Sequence, residues 1–261
     1  MTPVLMYHEI APRSATSSRL AVTPDAFAAQ LEFLAAHDFS TVTASAFAAA
    51  QAAGLPRPAR TVVLTFDDGY ADFHHQALPL LRKHGFTATV FVTTGWLADA
   101  GKHRAGRPPG SMLSWSQLAE MAAAGIEIGA HSHQHFQLDQ IGTDRLRAEL
   151  TVSKSLLEDG LGQAVPGLAY PFGYSGAPVR RAARRAGYDY AFSVANLMAS
   201  AGQDRFALPR LTVKASTGLD AFGRAAHGRD LGQLYRADQL LTKGYALVRR
   251  SRALAASVRG R

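Results

Sequence analysis

The sequence predicts an α/β protein in which about seven parallel strands close into a (β/α) barrel, with a basic helix at the C-terminus. Two observations carry that reading. Apolar, strand-like runs alternate with stretches of helical spacing, and this alternation sets strands side by side and parallel, with helices outside. Polar residues also gather at one end of several strands, where a barrel of this kind keeps its chemistry. The 261 residues fit one large domain, and an apolar content of 47% suffices for a core and excludes a disordered chain.

The strand-like runs follow in order. Residues 3–7 open the chain and lead to His8. Residues 61–66 lead to Asp67 and Asp68, and after a run at 87–92 residues 126–130 lead to His131. Residues 167–170 precede Pro171 and Phe172, residues 188–194 follow, and the run 208–213 contains Arg210. Helical patterns lie between them at 24–36, 75–84, 115–124, 143–158 and 177–186. The third is marked at both ends: Ser114 and Gln117 form a capping box, and Gly125 stops the helix. No internal repeat occurs. The basic, Gly- and Pro-rich segment 101–110 reads as a solvated connection, or as a rim contact to an anionic part of a substrate.

The chain divides into an expected catalytic domain, residues 1–228, and a basic amphipathic helix and tail, residues 229–261. In the latter Leu231, Leu234, Tyr235, Leu241, Tyr245 and Val248 share one face. Residues 224–261 hold nine Arg or Lys against Asp230 and Asp238, so seven of the net +8 charges sit there. The basic pI is thus a property of the tail, and no nucleic-acid-binding face is expected. Packing on the barrel is the expected role of this helix, with peripheral attachment to an anionic membrane or a partner as the minor reading. Cysteine is absent, which excludes disulfides and thiolate metal sites. No apolar run is long enough for a transmembrane helix. The N-terminus lacks the basic and apolar regions of a signal peptide, so a cytoplasmic location is expected.

The chemistry concentrates in three segments. Thr65-Phe66-Asp67-Asp68-Gly69 puts two carboxylates at a strand end, where neither can be buried ionised without a cation or hydrogen bonds. A metal meets that need, one acid binding it while the other stands free as a base; an acidic turn built on Gly69 is the alternative. Gly129-Ala130-His131-Ser132-His133-Gln134-His135 brings three histidines within five residues. His131 and His135, four apart, share a face on a helical turn and can chelate one ion, with His133 pointing elsewhere. One Asp and two His leave coordination positions open, the mark of a catalytic ion. In Ala169-Tyr170-Pro171-Phe172-Gly173-Tyr174, Pro fixes the backbone and Gly173 turns it. The Phe172 N–H is a candidate oxyanion donor; aromatic packing at a strand-to-loop turn is the alternative.

These motifs, in this order, resemble the polysaccharide deacetylase family, also called carbohydrate esterase family four or the nodulation-deacetylase homology domain. The Tyr7-His8 start and Leu113-Ser-Trp-Ser-Gln-Leu share the likeness, which covers roughly residues 3–215. It implies a distorted (β/α) barrel and a divalent metal, usually zinc. It also implies hydrolysis of N-acetyl groups on chitin-like, peptidoglycan or exopolysaccharide sugars, sometimes of O-acetyl groups. Asp67 then resembles the catalytic base, Asp68, His131 and His135 the metal ligands, and Phe172 the residue whose N–H holds the oxyanion. The chain departs from the family at two points. Ala169 stands where the family has an Arg that orients the base, and Arg210 is the candidate replacement. The late Leu-x-x-His that supplies a general acid is missing; His8 is one candidate, and His227 a weaker one. The expected function is removal of N-acetyl groups from an amino-sugar glycan, or from a lipid-linked or soluble precursor if the location is cytoplasmic. An O-acetyl esterase or related amidase is the second reading, and a catalytically silent carbohydrate-binding scaffold the third.

Overall fold

The computed structural model of the protein describes residues 1–56 and 58–240. The strands are β1 (Val4–Tyr7), β2 (Ser40–Thr41), β3 (Thr61–Phe66), β4 (Thr89–Val92), β5 (Glu127–Ala130), β6 (Gly167–Ala169), β7 (Tyr190–Phe192) and β8 (Leu211–Thr212). All pair in parallel, in the order β7-β6-β5-β4-β3-β1-β8, with the two-residue β2 beside β3. The sheet curls until its edges meet. Leu208 bridges Phe192 of β7 in parallel, and three residues later Leu211 pairs with Leu5 of β1. Seven strands thus make the distorted barrel, and the chain from 208 to 212 spans its seam.

The period of two along each strand sorts the core. Val4, Val63, Phe91, Ala169, Phe192 and Leu208 pack together as the barrel interior. Leu5, Tyr7, Val62, Leu64 and Phe66 belong to the larger outer core, where the helices lie. Because Val63 points inward, so do Thr65 and Asp67, and the base candidate enters the barrel mouth by alternation alone.

The helices are α1 (Pro24–Ala36), α2 (Ala44–Ala52), α3 (Leu78–Lys83), α4 (Trp115–Ala123), α5 (Thr143–Leu161), α6 (Ala177–Arg185), α7 (Leu219–Ala226) and α8 (Leu231–Leu234). The capping box of Ser114 and Gln117 forms at the start of α4. The segment 75–84 is not one α-helix: a π-turn over Phe73–Ala77 precedes α3. The expected long helix from residue 230 breaks after α8 at Tyr235, whose side chain turns inward and donates to the Thr212 carbonyl at 3.2 Å. Residues 236–240 are helical again, and Asp238 pairs with Lys214, so this segment packs on the barrel. The rest of the expected basic helix, residues 241–261, lies outside the described residues. Among the described residues no helix is long and apolar enough to cross a membrane.

Candidate active site

The carboxyl ends of β1, β3, β5 and β6 and the seam at Arg210 converge on one cluster. Asp67 and Asp68 follow β3. Alternation would turn Asp68 away from Asp67, but the chain leaves strand geometry there, with φ 75 at Asp68. His131 Nε2 then lies 3.4 Å from Asp68 Oδ1 and 4.0 Å from Asp67 Oδ2. His135 Nε2 lies 3.1 Å from the same Asp68 oxygen. Asp68, His131 and His135 each offer a ligand atom, and those atoms fall within 4.8 Å of one another.

The donor chemistry fits a cation. His131 is buried, and its Nδ1 lies 2.8 Å from the Ala169 carbonyl, an acceptor, so Nδ1 must carry the proton. Burial pushes its pKa down to about 4, overriding the attraction of Asp67, so the ring is neutral near pH 7. Its Nε2 therefore turns a lone pair toward Asp68. The Asp68 Oδ1 is itself buried with no donor in hydrogen-bonding geometry. Lone pairs facing one another at such distances repel, and a divalent ion between them removes the repulsion. Burial would raise the Asp68 pKa, but His135, His8 and His131 together hold it well below the usual carboxylate range.

Arg210 is fully buried, and its guanidinium grips Asp67 with two bonds, Nη1 to Oδ1 at 2.6 Å and Nη2 to Oδ2 at 2.7 Å. It also donates to Thr65 Oγ1 and to the Ser193 carbonyl. Burial, the largest effect, pushes the Asp67 pKa up, but Arg210, through its charge and its hydrogen bonds, together with His131 and His8 brings it below the usual carboxylate value, and the carboxyl stays ionised. His8 lies close enough to favour the charge on both aspartates, and its Nδ1 is buried without a partner. His227 is elsewhere: it packs against Phe33, His37 and Phe39 beside the amino ends of the strands, where a cavity is lined by Met1, Thr2, Phe39 and Thr61.

Eight non-glycine residues among those described have positive φ, and four of them, Asp68, Ser132, His135 and Phe172, belong to this cluster. Each costs about 1–3 kcal/mol, which the surrounding contacts must offset. Phe172 lies at φ 60 with its ring half exposed, edge-on to His135 at 4.8 Å. Gly173 behind it has φ 74, and a Cβ there would lie 2.5 Å from Val194 Cβ, so only glycine fits. Trp96 stacks on the His135 ring, ring centroids 4.8 Å apart. The segment 101–110 closes that wall: Gly106 packs on Trp96, and Ala105 N–H donates to Gly95, which in turn donates to His133.

Sequence reasoning did not reach Trp96, Glu149 or Asn196. Asn196 clamps the seam, its N–H to the Arg210 carbonyl and its Oδ1 to the Thr212 N–H, both at 2.9 Å. Glu149 is buried in α5 beneath the histidine loop. Its signal was available, because it falls among Leu146, Leu150, Ser153 and Leu157 on the stripe that α5 buries.

Residues 54–191 match the family model described as polysaccharide deacetylase. The chain belongs to the polysaccharide deacetylase family. Among relatives of this deacetylase, YxkH of Bacillus subtilis, whose name places it in the same family, is 29% identical over 221 residues, covering 85% of this chain and 74% of that one. The poly-beta-1,6-N-acetyl-D-glucosamine N-deacetylase of Staphylococcus aureus is 26% identical over 201 residues, covering 74% of this chain and 67% of that one. The structure of the Streptococcus pyogenes deacetylase PplD in complex with acetate aligns with a TM-score of 0.77 at 27% identity, covering 86% of this chain and 97% of that one. The deacetylase fold and the hydrolytic class follow from this membership.

Proposed function

We propose that this protein is a divalent-metal-dependent hydrolase that removes N-acetyl groups from an amino-sugar glycan. The observation that carries the reading is the Asp68 oxygen facing two imidazole nitrogens, one of them fixed as a lone-pair donor, beside an arginine-gripped second carboxylate. Asp68, His131 and His135 would hold the ion, and two imidazoles with one carboxylate suit zinc. When bound, the ion supplies Lewis-acid polarisation of an acetyl carbonyl and makes a water more acidic.

The rest of the chemistry belongs to the chain. Asp67, kept ionised and aimed by Arg210, takes the proton of the attacking water. The Phe172 backbone N–H steadies the oxyanion that develops on the acetyl group. His8, with its unpartnered buried Nδ1, is the proton donor to the leaving amine. The ring faces of Phe172 and Tyr174 lie 15° from parallel, and Tyr174 lines a cavity of about 630 Å³ with Leu138, Ile141, Val179 and Arg180. That space supports an oligomeric substrate over a single sugar.

The test is acetate release by the purified protein, with zinc, from N-acetylglucosamine oligomers of increasing length and from an O-acetylated xylan. The proposal expects release from the N-acetylated oligomers that rises with length and stops with chelator. Release from the xylan alone would transfer the site to the esterase reading.

A further inference from the structure

We infer that Glu149 is a positioning residue for the proposed metal site, acting through His135; this rests on the metal-dependent reading above. The two histidine ligands are held very differently. His131 continues β5, its N–H bonds the Val92 carbonyl, and its ring is pinned by the Ala169 carbonyl. His135 lies on a loop that has left the sheet, and that loop carries left-handed backbone at Ser132 (φ 64) and at His135 itself (φ 61). Neither residue is glycine, so outside contacts must impose the conformation.

Glu149 imposes it from beneath. Its Oε2 accepts two successive backbone N–H groups, His133 at 3.0 Å and Gln134 at 2.8 Å. A left-handed residue followed by consecutive N–H groups aimed at one oxygen is an anion nest, and the carboxylate is the anion it encloses. Glu149 is 2% exposed, and the two N–H groups of the nest supply the hydrogen-bond donors that a buried carboxylate needs. The other ties complete the arrangement: His133 Nδ1 meets Thr94 Oγ1 at 2.9 Å, and Ser132 Oγ accepts the His135 N–H at 3.0 Å. The middle histidine of the run, His133, is thus an anchor, and the loop it anchors exists to present His135.

A thermodynamic cycle tests this on the full chain. Zinc affinity is measured by competition with a chromophoric chelator for the wild type, Glu149→Ala, Glu149→Gln, His135→Ala and the Glu149→Ala/His135→Ala double variant, beside the Tm of each metal-free protein. Removing a residue that orients a ligand weakens metal binding by about 10- to 100-fold. Glu149→Ala should show such a loss, and Glu149→Gln, whose amide oxygen can accept the same two N–H groups, should recover most of it. Once His135 is gone, removing Glu149 should weaken zinc no further. A Glu149→Ala protein that binds zinc like the wild type would overturn the inference, as would a loss that adds in full to that of His135→Ala or a Glu149→Gln no better than Glu149→Ala. Should Glu149→Ala be too unstable to measure, Glu149→Met, which fills the same space without an acceptor for the two N–H groups, takes its place in the cycle with the same expected loss and the same overturning results. Zinc binding absent from the wild type would defeat the metal-dependent reading itself.

Discussion

Burial pushes the Asp67 carboxyl up, and the doubly bonded Arg210 guanidinium, the foremost of the groups that oppose it, reverses this together with His131 and His8. Replacing that arginine exposes the opposing effect. In Arg210→Met the Asp67 pKa rises, so the acidic limb of the kcat/KM profile moves to higher pH. The plateau falls by about 10²-fold, because the base is also no longer aimed. A profile that superimposes on the wild type would remove Arg210 from the mechanism. His131 gives a second pH dependence. Its folded-state pKa of about 4 lies below the ordinary 6.5, so the unfolded chain binds the extra proton first as pH falls. The metal-free protein should therefore lose stability as pH drops from about 6.5 toward 4, seen as a falling urea midpoint. At this scale the sequence was legible where chemistry forces residue types together. The adjacent aspartates and the spaced histidines could be read directly. Arg210 could be named only as a candidate, because it meets Asp67 across 143 positions of chain. Glu149 was missed because its partners are backbone N–H groups, which carry no residue signature.

The elements show the same division. The seven barrel strands were readable because each falls in an apolar run, and several of those runs end in polar residues. Two helices were not. The α2 sequence, ASAFAAAQA, has six alanines in nine residues, so it has no apolar stripe to contrast with a polar face. The α7 helix contains Gly223, which argues against helix; the structure shows why it is tolerated, since a Cβ there would lie 2.8 Å from the Phe33 ring of α1. Gly129 has a like role in β5, two residues before His131. A Cβ there would lie 2.5 Å from the Phe91 ring inside the barrel, where neighbouring strands leave the ring no room to move. Gly129→Ala should cost about 1–3 kcal/mol in urea denaturation. It should also weaken zinc binding, since the strand that carries His131 must shift. Full stability in that variant would mean the barrel interior is looser than its packing indicates.

At the scale of the whole molecule, the barrel brings Asp67, Asp68, His131, His135, Arg210 and Phe172 to one mouth. Their positions span 67 to 210 in the chain, so only closure of the sheet assembles them. A ligand that binds the folded cluster and not the open chain stabilises the fold by mass action. Zinc should accordingly raise the Tm of the protein, and chelator should lower it. The most direct test of the central claim separates the base from the ligands: Asp67→Asn, measured for zinc stoichiometry and for acetate release from an N-acetylglucosamine oligomer. The account predicts one zinc per chain, as in the wild type, with acetate release lower by at least about 10²-fold. An Asp67→Asn protein that binds its zinc and still releases acetate at the wild-type rate would contradict it.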